Sequence, residues 1–290
     1  MKPTRAFFVT LLVLASTTAA LAASPGRLDR IREVKTIVIS HGEAAIPFSY
    51  IAQSGPVGFG AEVSLRIADA IKAHLNLDTL KVRWNPVTLS TRFPMIVTDT
   101  VDLECITTTN TRARQDMVGF SNTYYISDEG IVTRRDSGIK TSTDLAGKRV
   151  TAVRGTTTEK GLQSRGLTVV PERNNRMAMS ALKDGRADAY VAASAIAAGE
   201  LLRLEDAKPF QIIATGEHKE AFGCMLPKGD VAYKKVVDDA LGAMMKSGEM
   251  EKIYNKWFTM AIPPYGRNLN MPLNEDNRKL YQSPNDTAYE

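Results

Sequence analysis

The segment 149–170, with the sequence RVTAVRGTTTEKGLQSRGLTVV, contains a complete strand–helix–strand unit. The β-branched runs at 149–153 and 167–170 predict two strands. Between them, Gly155 precedes a helical stretch in which Thr156 and Glu159 stand at the spacing of a capping box, a signal that starts helices. Strands that alternate with helices in this way are typical of an α/β protein with a parallel sheet.

The same alternation extends on both sides of this segment. The remaining strand patterns lie at 36–40, 80–87, 131–133 and 187–192, and the remaining helix patterns lie at 28–34, 61–75, 92–98, 177–182, 193–204, 232–247 and 249–258. Residues 47–60 read as a turn-rich loop, and the end of the chain reads as a tail rich in proline and asparagine. The patterns therefore predict two α/β units in one chain, the second spanning about 125–218.

The first 22 residues have the composition of a secretory signal peptide. Lys2 and Arg5 precede the apolar run 6–15, and the small residues at 20–22 form a cleavage site. An uncleaved membrane anchor is the alternative, but the polar residues 16–18 interrupt an apolar run that would need about 20 residues. We therefore expect a periplasmic protein whose mature chain begins at residue 23.

The composition excludes several classes of function. The chain of 290 residues has 37 Lys and Arg against 32 Asp and Glu, a net charge of +5, and its positive residues are spread along the sequence. A nucleic-acid-binding protein would cluster them, so we expect no nucleic-acid partner. The three histidines and two cysteines lack metal-ligand spacing, and the sequence has no nucleophile elbow or phosphate-binding loop. We therefore predict no metal, no cofactor and no catalytic residue.

Cys105 and Cys224 have two interpretations. In an oxidising export compartment they can form a disulfide, which would stabilise the fold by about 4–5 kcal/mol in the chain-entropy model. The alternative is a pair of buried free thiols. If the bond forms, residue 224 returns to the lobe that holds residue 105, and that lobe is discontinuous, with two strands crossing to the other lobe.

Hydroxyl groups and arginines follow several predicted strands, where the loops enter helices. Arg92 follows the strand at 80–87, Arg114 follows the threonines at 107–109, and Gly155-Thr156-Thr157 opens a helix. Ligands of α/β sheets bind beyond these strand ends, and free helix amides with a guanidinium suit an anion. The sequence therefore predicts a site for a carboxylate or another small anion.

The residues resemble a known family, the periplasmic solute-binding proteins (family 3) of polar amino-acid ABC importers, and within it the glutamate/aspartate-binding proteins. The matching stretches occur in order along nearly the whole mature chain: Pro47-Phe48-Ser49-Tyr50, Glu104-Cys105, Thr107-Thr108-Thr109-Asn110, Arg114-Gln115, Phe120-Ser121, Asp144-Leu145, Gly147-Lys148, Gly155-Thr156-Thr157, Gly185-Arg186-Ala187, Gly223-Cys224-Met225-Leu226, Lys256-Trp257-Phe258 and Ile262-Pro263-Pro264.

The resemblance implies a type II, Venus-flytrap fold of two lobes that close on a solute around two hinge strands. Lobe 1 would be discontinuous, comprising residues 23–123 and 220–290, and lobe 2 would comprise residues 124–219. The resemblance also implies a Cys105–Cys224 disulfide within the larger lobe. We expect a monomer that delivers its solute to permease subunits of an ABC importer in the inner membrane.

The resemblance further implies roles for single residues. Arg114 resembles the residue that binds the ligand α-carboxylate in this family, together with Thr109 and Thr107. Arg92 looks like a partner of the side-chain carboxylate, and Thr157 like a contact from the second lobe. Four positions depart from the pattern of the glutamate/aspartate binders: Gly42 replaces an Arg, Leu89 a Ser, Asn175 a His, and Ala193 the Asp that pairs with the ligand ammonium.

The departure at position 193 leaves two possible classes of ligand. Without a carboxylate there, a buried ammonium would lose its counter-charge, unless Ser194 or Glu43 replaces it. Glutamate or aspartate is one expected ligand, and an amine-free organic or aromatic acid is the other. Two rivals of a different class use the same fold: a periplasmic cyclohexadienyl dehydratase, which needs a general acid facing the ligand, and a sensor ectodomain.

Overall fold

The computed structural model describes residues 26–289. The signal peptide predicted at 1–22 lies outside the described residues. Within the described part, no helix is both long enough and apolar enough to cross a bilayer.

The first part of the chain builds one face of the larger lobe. Its elements are α1 (Arg27–Val34), β1 (Thr36–His41), β2 (Ala44–Ala45), β3 (Ser49–Ala52), β4 (Gly55–Val57), α2 (Phe59–His74), β5 (Lys81–Pro86), α3 (Arg92–Val97), α4 (Arg112–Gln115) and β6 (Gly119–Ser127). Strands β1 and β5 pair in parallel. Leu103 extends the sheet beside β1, and the next residue, Glu104, bridges to Met225. The turn-rich loop predicted at 47–60 instead contains β3, β4 and the start of α2, and β2, just before it, completes a small antiparallel sheet.

The middle of the chain forms the second lobe around one five-stranded sheet. Its elements are β7 (Glu129–Arg134), a 3-10 turn (Ser142–Leu145), β8 (Val150–Val153), α5 (Thr157–Ser164), β9 (Val169–Glu172), α6 (Asn175–Lys183), β10 (Ala189–Ala193), α7 (Ser194–Arg203) and β11 (Phe210–Ala214). The strand order is β11-β7-β10-β8-β9. Strands β8, β9 and β10 pair in parallel, as the alternation of strands and helices predicts, and β7 pairs antiparallel with both β10 and β11. The sheet is therefore mixed, and the predicted parallel sheet is corrected at β7, the strand that carries the chain into this lobe.

The end of the chain returns to the first lobe. Its elements are β12 (Glu220–Leu226), α8 (Val231–Lys246), α9 (Glu249–Phe258) and α10 (Glu275–Gln282). Strand β12 pairs antiparallel with β6, and Cys224 on β12 forms a disulfide with Cys105. The disulfide implied by the resemblance and the discontinuous lobe are therefore confirmed. The predicted tail after α9 is wrong in part, because it contains α10.

Two extended segments cross between the lobes and bind each other. One joins β6 to β7 through Asp128, and the other joins β11 to β12 through residues 215–219. The amide of Thr215 donates to the carbonyl of Glu129 at 3.1 Å, and Ser127 pairs with Glu220. The two-lobed fold with two hinge strands is thus confirmed, whereas the domain boundaries at 123/124 and 219/220 stay predictions.

An aromatic core holds the two crossing strands of the larger lobe in place. Tyr125 of β6 stacks on Phe222 of β12 at a ring distance of 5.8 Å and on Phe258 of α9 at 5.3 Å. All three rings are buried, and burying one such side chain stabilises a fold by about 1.5–3 kcal/mol. The lobe therefore offers a rigid base from which the binding residues project.

Candidate functional site

The six binding residues predicted from the sequence line one small cavity between the lobes. They are Arg92, Thr107, Thr109, Arg114, Thr157 and Asn175. The cavity measures about 50 Å³. A single buried water needs roughly 10–15 Å³ of such space, so the enclosed chamber by itself has room for about four waters. It continues into two wider clefts of about 350 and 1010 Å³.

Arg92, the first residue of α3, brings a buried positive charge to the cavity. Its side chain is 4% exposed, and its Nε has no hydrogen-bond partner among the described residues. The nearest carboxylate, Glu104, lies 3.8 Å away behind it and does not line the cavity. Burial lowers the pKa of Arg92, and the charge of Glu104 opposes that shift. An anion in the cavity would therefore find unused N–H donors on Arg92.

Arg114, from the short helix α4, brings a second guanidinium to the same cavity. One terminal nitrogen donates to the carbonyl of Thr109 at 2.9 Å. Burial, and next the positive charge of Arg92, lower the pKa of Arg114 to about 10. The ring of Phe93 lies 5.5 Å from the guanidinium carbon of each arginine. Two like charges in one buried chamber raise the free energy of the empty site and favour an anionic ligand.

Helix α5 presents its N-terminus to the cavity from the second lobe. Thr156 caps the helix by accepting from the amide of Glu159 at 3.1 Å, which is one half of the predicted capping box; the Glu159 carboxylate accepts from the amide of Gly155 instead of that of Thr156. The amides of Thr157 and Thr158, which the cap does not use, are available to an anion. The hydroxyl of Thr157 lies 3.2 Å from that of Thr109, so the two lobes touch across the cavity.

The four positions that depart from the glutamate/aspartate-binder pattern fall in two places. Leu89, Asn175 and Ala193 line the cavity, whereas Gly42 lines the wider cleft of about 350 Å³. The side-chain oxygen of Asn175 accepts from Tyr190 at 2.9 Å. Ala193 ends β10 immediately before α7 and offers only a methyl group.

Glu220 is a cavity residue that the sequence does not reveal. It is the first residue of β12, and its Oε1 accepts hydrogen bonds from the hydroxyls of Thr157 and Thr158. Burial raises the pKa of Glu220, and the Thr157 hydroxyl and the charge of Arg114 oppose that shift. Neither substitute predicted for the missing acid lines this cavity: Glu43 lies in the cleft beside Gly42, and Ser194 contacts Ser127.

A group of three or more metal-ligating side chains does not occur within residues 26–289. What the cavity does provide is two guanidinium groups, one carboxylate, several hydroxyls and apolar walls. The apolar walls come from Leu89, Val153, Val191, Ala192, Ala193, Ile196 and Phe222. Polar groups at fixed positions in an apolar chamber are typical of a site for one small polar molecule.

Residues 37–260 match the family model of bacterial extracellular solute-binding proteins, family 3. The chain belongs to this family. The family predicted from the sequence is thus confirmed, and the match spans both lobes and both crossing segments.

This family 3 protein is similar to relatives along nearly its whole length. It is 38% identical to the L-glutamate/L-aspartate-binding protein of Pseudomonas aeruginosa, covering 94% of this chain and 95% of the relative. It is 35% identical to the glutamate/aspartate import solute-binding protein of Salmonella typhimurium, covering 92% and 90%. Among solved structures, it is similar to an ancestral amino acid-binding protein that is a precursor of cyclohexadienyl dehydratase. There the TM-score is 0.70 at 27% identity, covering 80% of this chain and 99% of that one.

Proposed function

We propose that this family 3 protein binds an acidic amino acid, glutamate or aspartate, between its two lobes. The observation that carries the proposal is the pair of buried arginines, Arg92 and Arg114, in one small cavity. Each guanidinium can bind a carboxylate through two parallel hydrogen bonds. Two such groups in one chamber suit a ligand with two carboxylates, and relatives at 38% and 35% identity carry glutamate and aspartate in their names.

The residue roles follow from these positions. Arg114 binds the α-carboxylate together with the hydroxyls of Thr107 and Thr109 and the free amides at Thr157, while Arg92 binds the side-chain carboxylate. The lobes, with boundaries near residues 124 and 219, close on the solute by bending at the crossing segments. The loaded protein, a periplasmic monomer without a nucleic-acid partner, then delivers its solute to the permease of an ABC importer.

An enzymatic function is the second candidate. It is favoured by the half-buried acid Glu220 in the cavity, whose pKa is raised by burial, and by the likeness to the dehydratase precursor. We infer binding without catalysis, because that solved structure is itself named an amino acid-binding protein, as are the relatives of higher identity. Incubation with prephenate should yield no phenylpyruvate by absorbance, and its formation would establish the enzyme instead.

Isothermal titration calorimetry of the mature chain, residues 23–290, tests the proposed ligand. L-glutamate and L-aspartate should bind, and ligand at 100 times its Kd should stabilise the fold by about 2.7 kcal/mol. Neutral and basic amino acids should not bind, because they leave one buried arginine without an anion. Binding of an aromatic acid with no response to either acidic amino acid would refute the proposal.

Arg114→Ala tests the assigned site. The variant loses charge-assisted hydrogen bonds worth about 1.5–3 kcal/mol each, so affinity should fall at least 100-fold. Arg83→Ala is the matched control, because Arg83 is exposed on β5 and does not line the cavity. If the two variants bound L-glutamate equally well, the binding site would not be the cavity that contains Arg114.

A further inference from the structure

The carboxylate of Glu220 has one occupied oxygen and one unoccupied oxygen. Oε1 accepts from Thr157 and, at 3.3 Å, from Thr158. Among residues 26–289, no group donates a hydrogen bond to Oε2. An ionised carboxylate is an acceptor with about four lone-pair sites, so Glu220 retains capacity for a further donor.

The hydroxyl chain beside Glu220 fixes which groups can donate. Because the single proton of the Thr157 hydroxyl is directed at Glu220, Thr157 is the acceptor in its 3.2 Å contact with Thr109 until a ligand carboxylate takes the Thr109 proton. The chain of hydroxyls therefore runs from the first lobe through the second lobe to the hinge strand β12. It ends on Glu220, which lines the cavity.

Glu220 is also without a close counter-charge. In the described part of the chain, no Lys or Arg nitrogen lies within 4.0 Å of its half-buried carboxylate, whereas the fully buried acid near the site, Glu104, has Arg92 at 3.8 Å. A carboxylate that is partly removed from water and has no cation beside it costs free energy, and a cationic ligand group would reduce that cost.

We propose that Glu220 binds the α-ammonium of the ligand through Oε2, in place of the acid that is missing at Ala193. This assignment rests on the proposed function and specifies its solute class as acidic α-amino acids with a free amine. Glu220 and Ala193 line the same cavity, which places the carboxylate of Glu220 in the chamber that lacks an acid at position 193. The charges that face the cavity, two positive and one negative, complement two carboxylates and one ammonium.

Paired ligands with and without the amine separate this assignment from the carboxylate sites. L-glutamate and glutarate share both carboxylates, as do L-aspartate and succinate, and only the first of each pair has an ammonium. Calorimetry should show each amino acid binding the wild type at least 10-fold more tightly than its amine-free partner. Glu220→Gln should weaken L-glutamate binding about 10- to 100-fold, whereas glutarate, which loses only repulsion from the carboxylate, should bind at least as tightly as it binds the wild type.

Glu217→Gln is the matched control. Glu217 lies three residues earlier on the same crossing segment, is exposed, and does not line the cavity, so both ligands should bind this variant as they bind the wild type. A ligand-free thermal midpoint for each variant shows whether the fold is intact. If Glu220→Gln does not fold, the wild-type comparison of L-glutamate with glutarate still tests whether the cavity binds the ammonium group.

Three outcomes would overturn the assignment. The first is that glutarate binds the wild type as tightly as L-glutamate does. That result would support the dicarboxylate site and contradict the ammonium site. Another is unchanged L-glutamate affinity in Glu220→Gln. The third is an equal loss of both ligands in that variant, since Glu220 would then only hold Thr157 in place. If no acidic ligand binds the wild type at all, the proposed function itself fails.

Restoring an acid at position 193 gives an independent check. In the double variant Ala193→Asp, Glu220→Gln, the aspartate should recover at least 10-fold of the lost L-glutamate affinity and have no effect on glutarate. Failure to recover, in a folded double variant, would show that the two positions do not serve the same ligand group.

Discussion

Replacing Gly199 with alanine should hinder closure of the lobes without weakening either lobe. Gly199 lies in α7 of the second lobe and packs on the backbone of Ile46 in the first lobe. A Cβ added at this glycine would lie 2.2 Å from the carbonyl oxygen of Ile46 and 2.9 Å from its Cβ. A carbon and an oxygen that are not bonded need about 3.2 Å or more, so the lobes would have to separate locally by roughly 1 Å.

The size of the effect follows from two opposing terms. Alanine stabilises a helix interior by about 1 kcal/mol relative to glycine, which favours the isolated second lobe. Forcing an extra carbon into a packed contact costs about 1–3 kcal/mol, and that cost falls on the closed state. A shift of this size would also stretch the 3.2 Å contact between Thr109 and Thr157 beyond hydrogen-bond length. We expect L-glutamate affinity to fall about 5- to 150-fold.

Two measurements test this prediction. Calorimetry gives the affinity, and small-angle scattering gives the radius of gyration of the ligand-bound protein. The matched control is Gly242→Ala, because Gly242 is also inside a helix and an added Cβ would have no neighbour within 4 Å. The control should bind as the wild type does and melt at the same or a higher temperature. Wild-type affinity in Gly199→Ala would refute the reasoning that this contact limits closure.

Three more predictions concern stability and pH. Reduction, or the double variant Cys105→Ser, Cys224→Ser, should lower the free energy of unfolding by about 4–5 kcal/mol in urea titrations, and an unchanged midpoint would contradict this loop-closure value. Asp102→Asn should cost about 3 kcal/mol, because its fully buried carboxylate binds two arginines and the amide of Val38, and thermal denaturation measures the loss. Burial raises the pKa of Glu220, and protonation competes with ammonium binding, so L-glutamate affinity should fall as pH is lowered through that raised pKa. The same pH series in Glu220→Gln should be flatter, and an identical slope would exclude Glu220 as the titrating group.

The elements with a clear apolar period could be predicted from the sequence. The helix predicted at 61–75 is Phe59–His74 in the structure, and the helix predicted at 249–258 is Glu249–Phe258. The spacing of the apolar residues in these two segments shows which face of each helix is buried. The sequence also predicts that one site contains Arg92, Arg114 and Thr157. Each of them follows a strand, and ligand sites in α/β sheets lie at those strand ends.

Other elements depend on partners far away in the sequence. Helix α10 has a polar sequence, and it is held by Asn277, whose side chain donates to the carbonyl of Ile126 and accepts from its amide, both at 2.8 Å. No local pattern indicates such a pairing. The reversed direction of β7 likewise depends on where the chain enters the second lobe, which the alternation of strands and helices does not encode.

The missed acid has the same cause. Of the two substitutes predicted for the absent acid at Ala193, Ser194 is its neighbour in the chain and Glu43 follows the first predicted strand. Glu220 is the first residue of the hinge strand β12, and only the return of the chain brings it to the cavity. The one available signal was its position four residues before Cys224, which the disulfide fixes beside Cys105 and the threonines that follow it.

That disulfide joins two parts of the binding site to each other. Cys105 precedes the segment that carries Thr107 and Thr109, and Cys224 lies on the strand that begins with Glu220. The cross-link therefore restrains the distance between the groups proposed for the α-carboxylate and the group proposed for the α-ammonium of one solute. We expect the oxidised protein to bind its solute more tightly than the reduced protein does, so that the disulfide tunes affinity as well as stability.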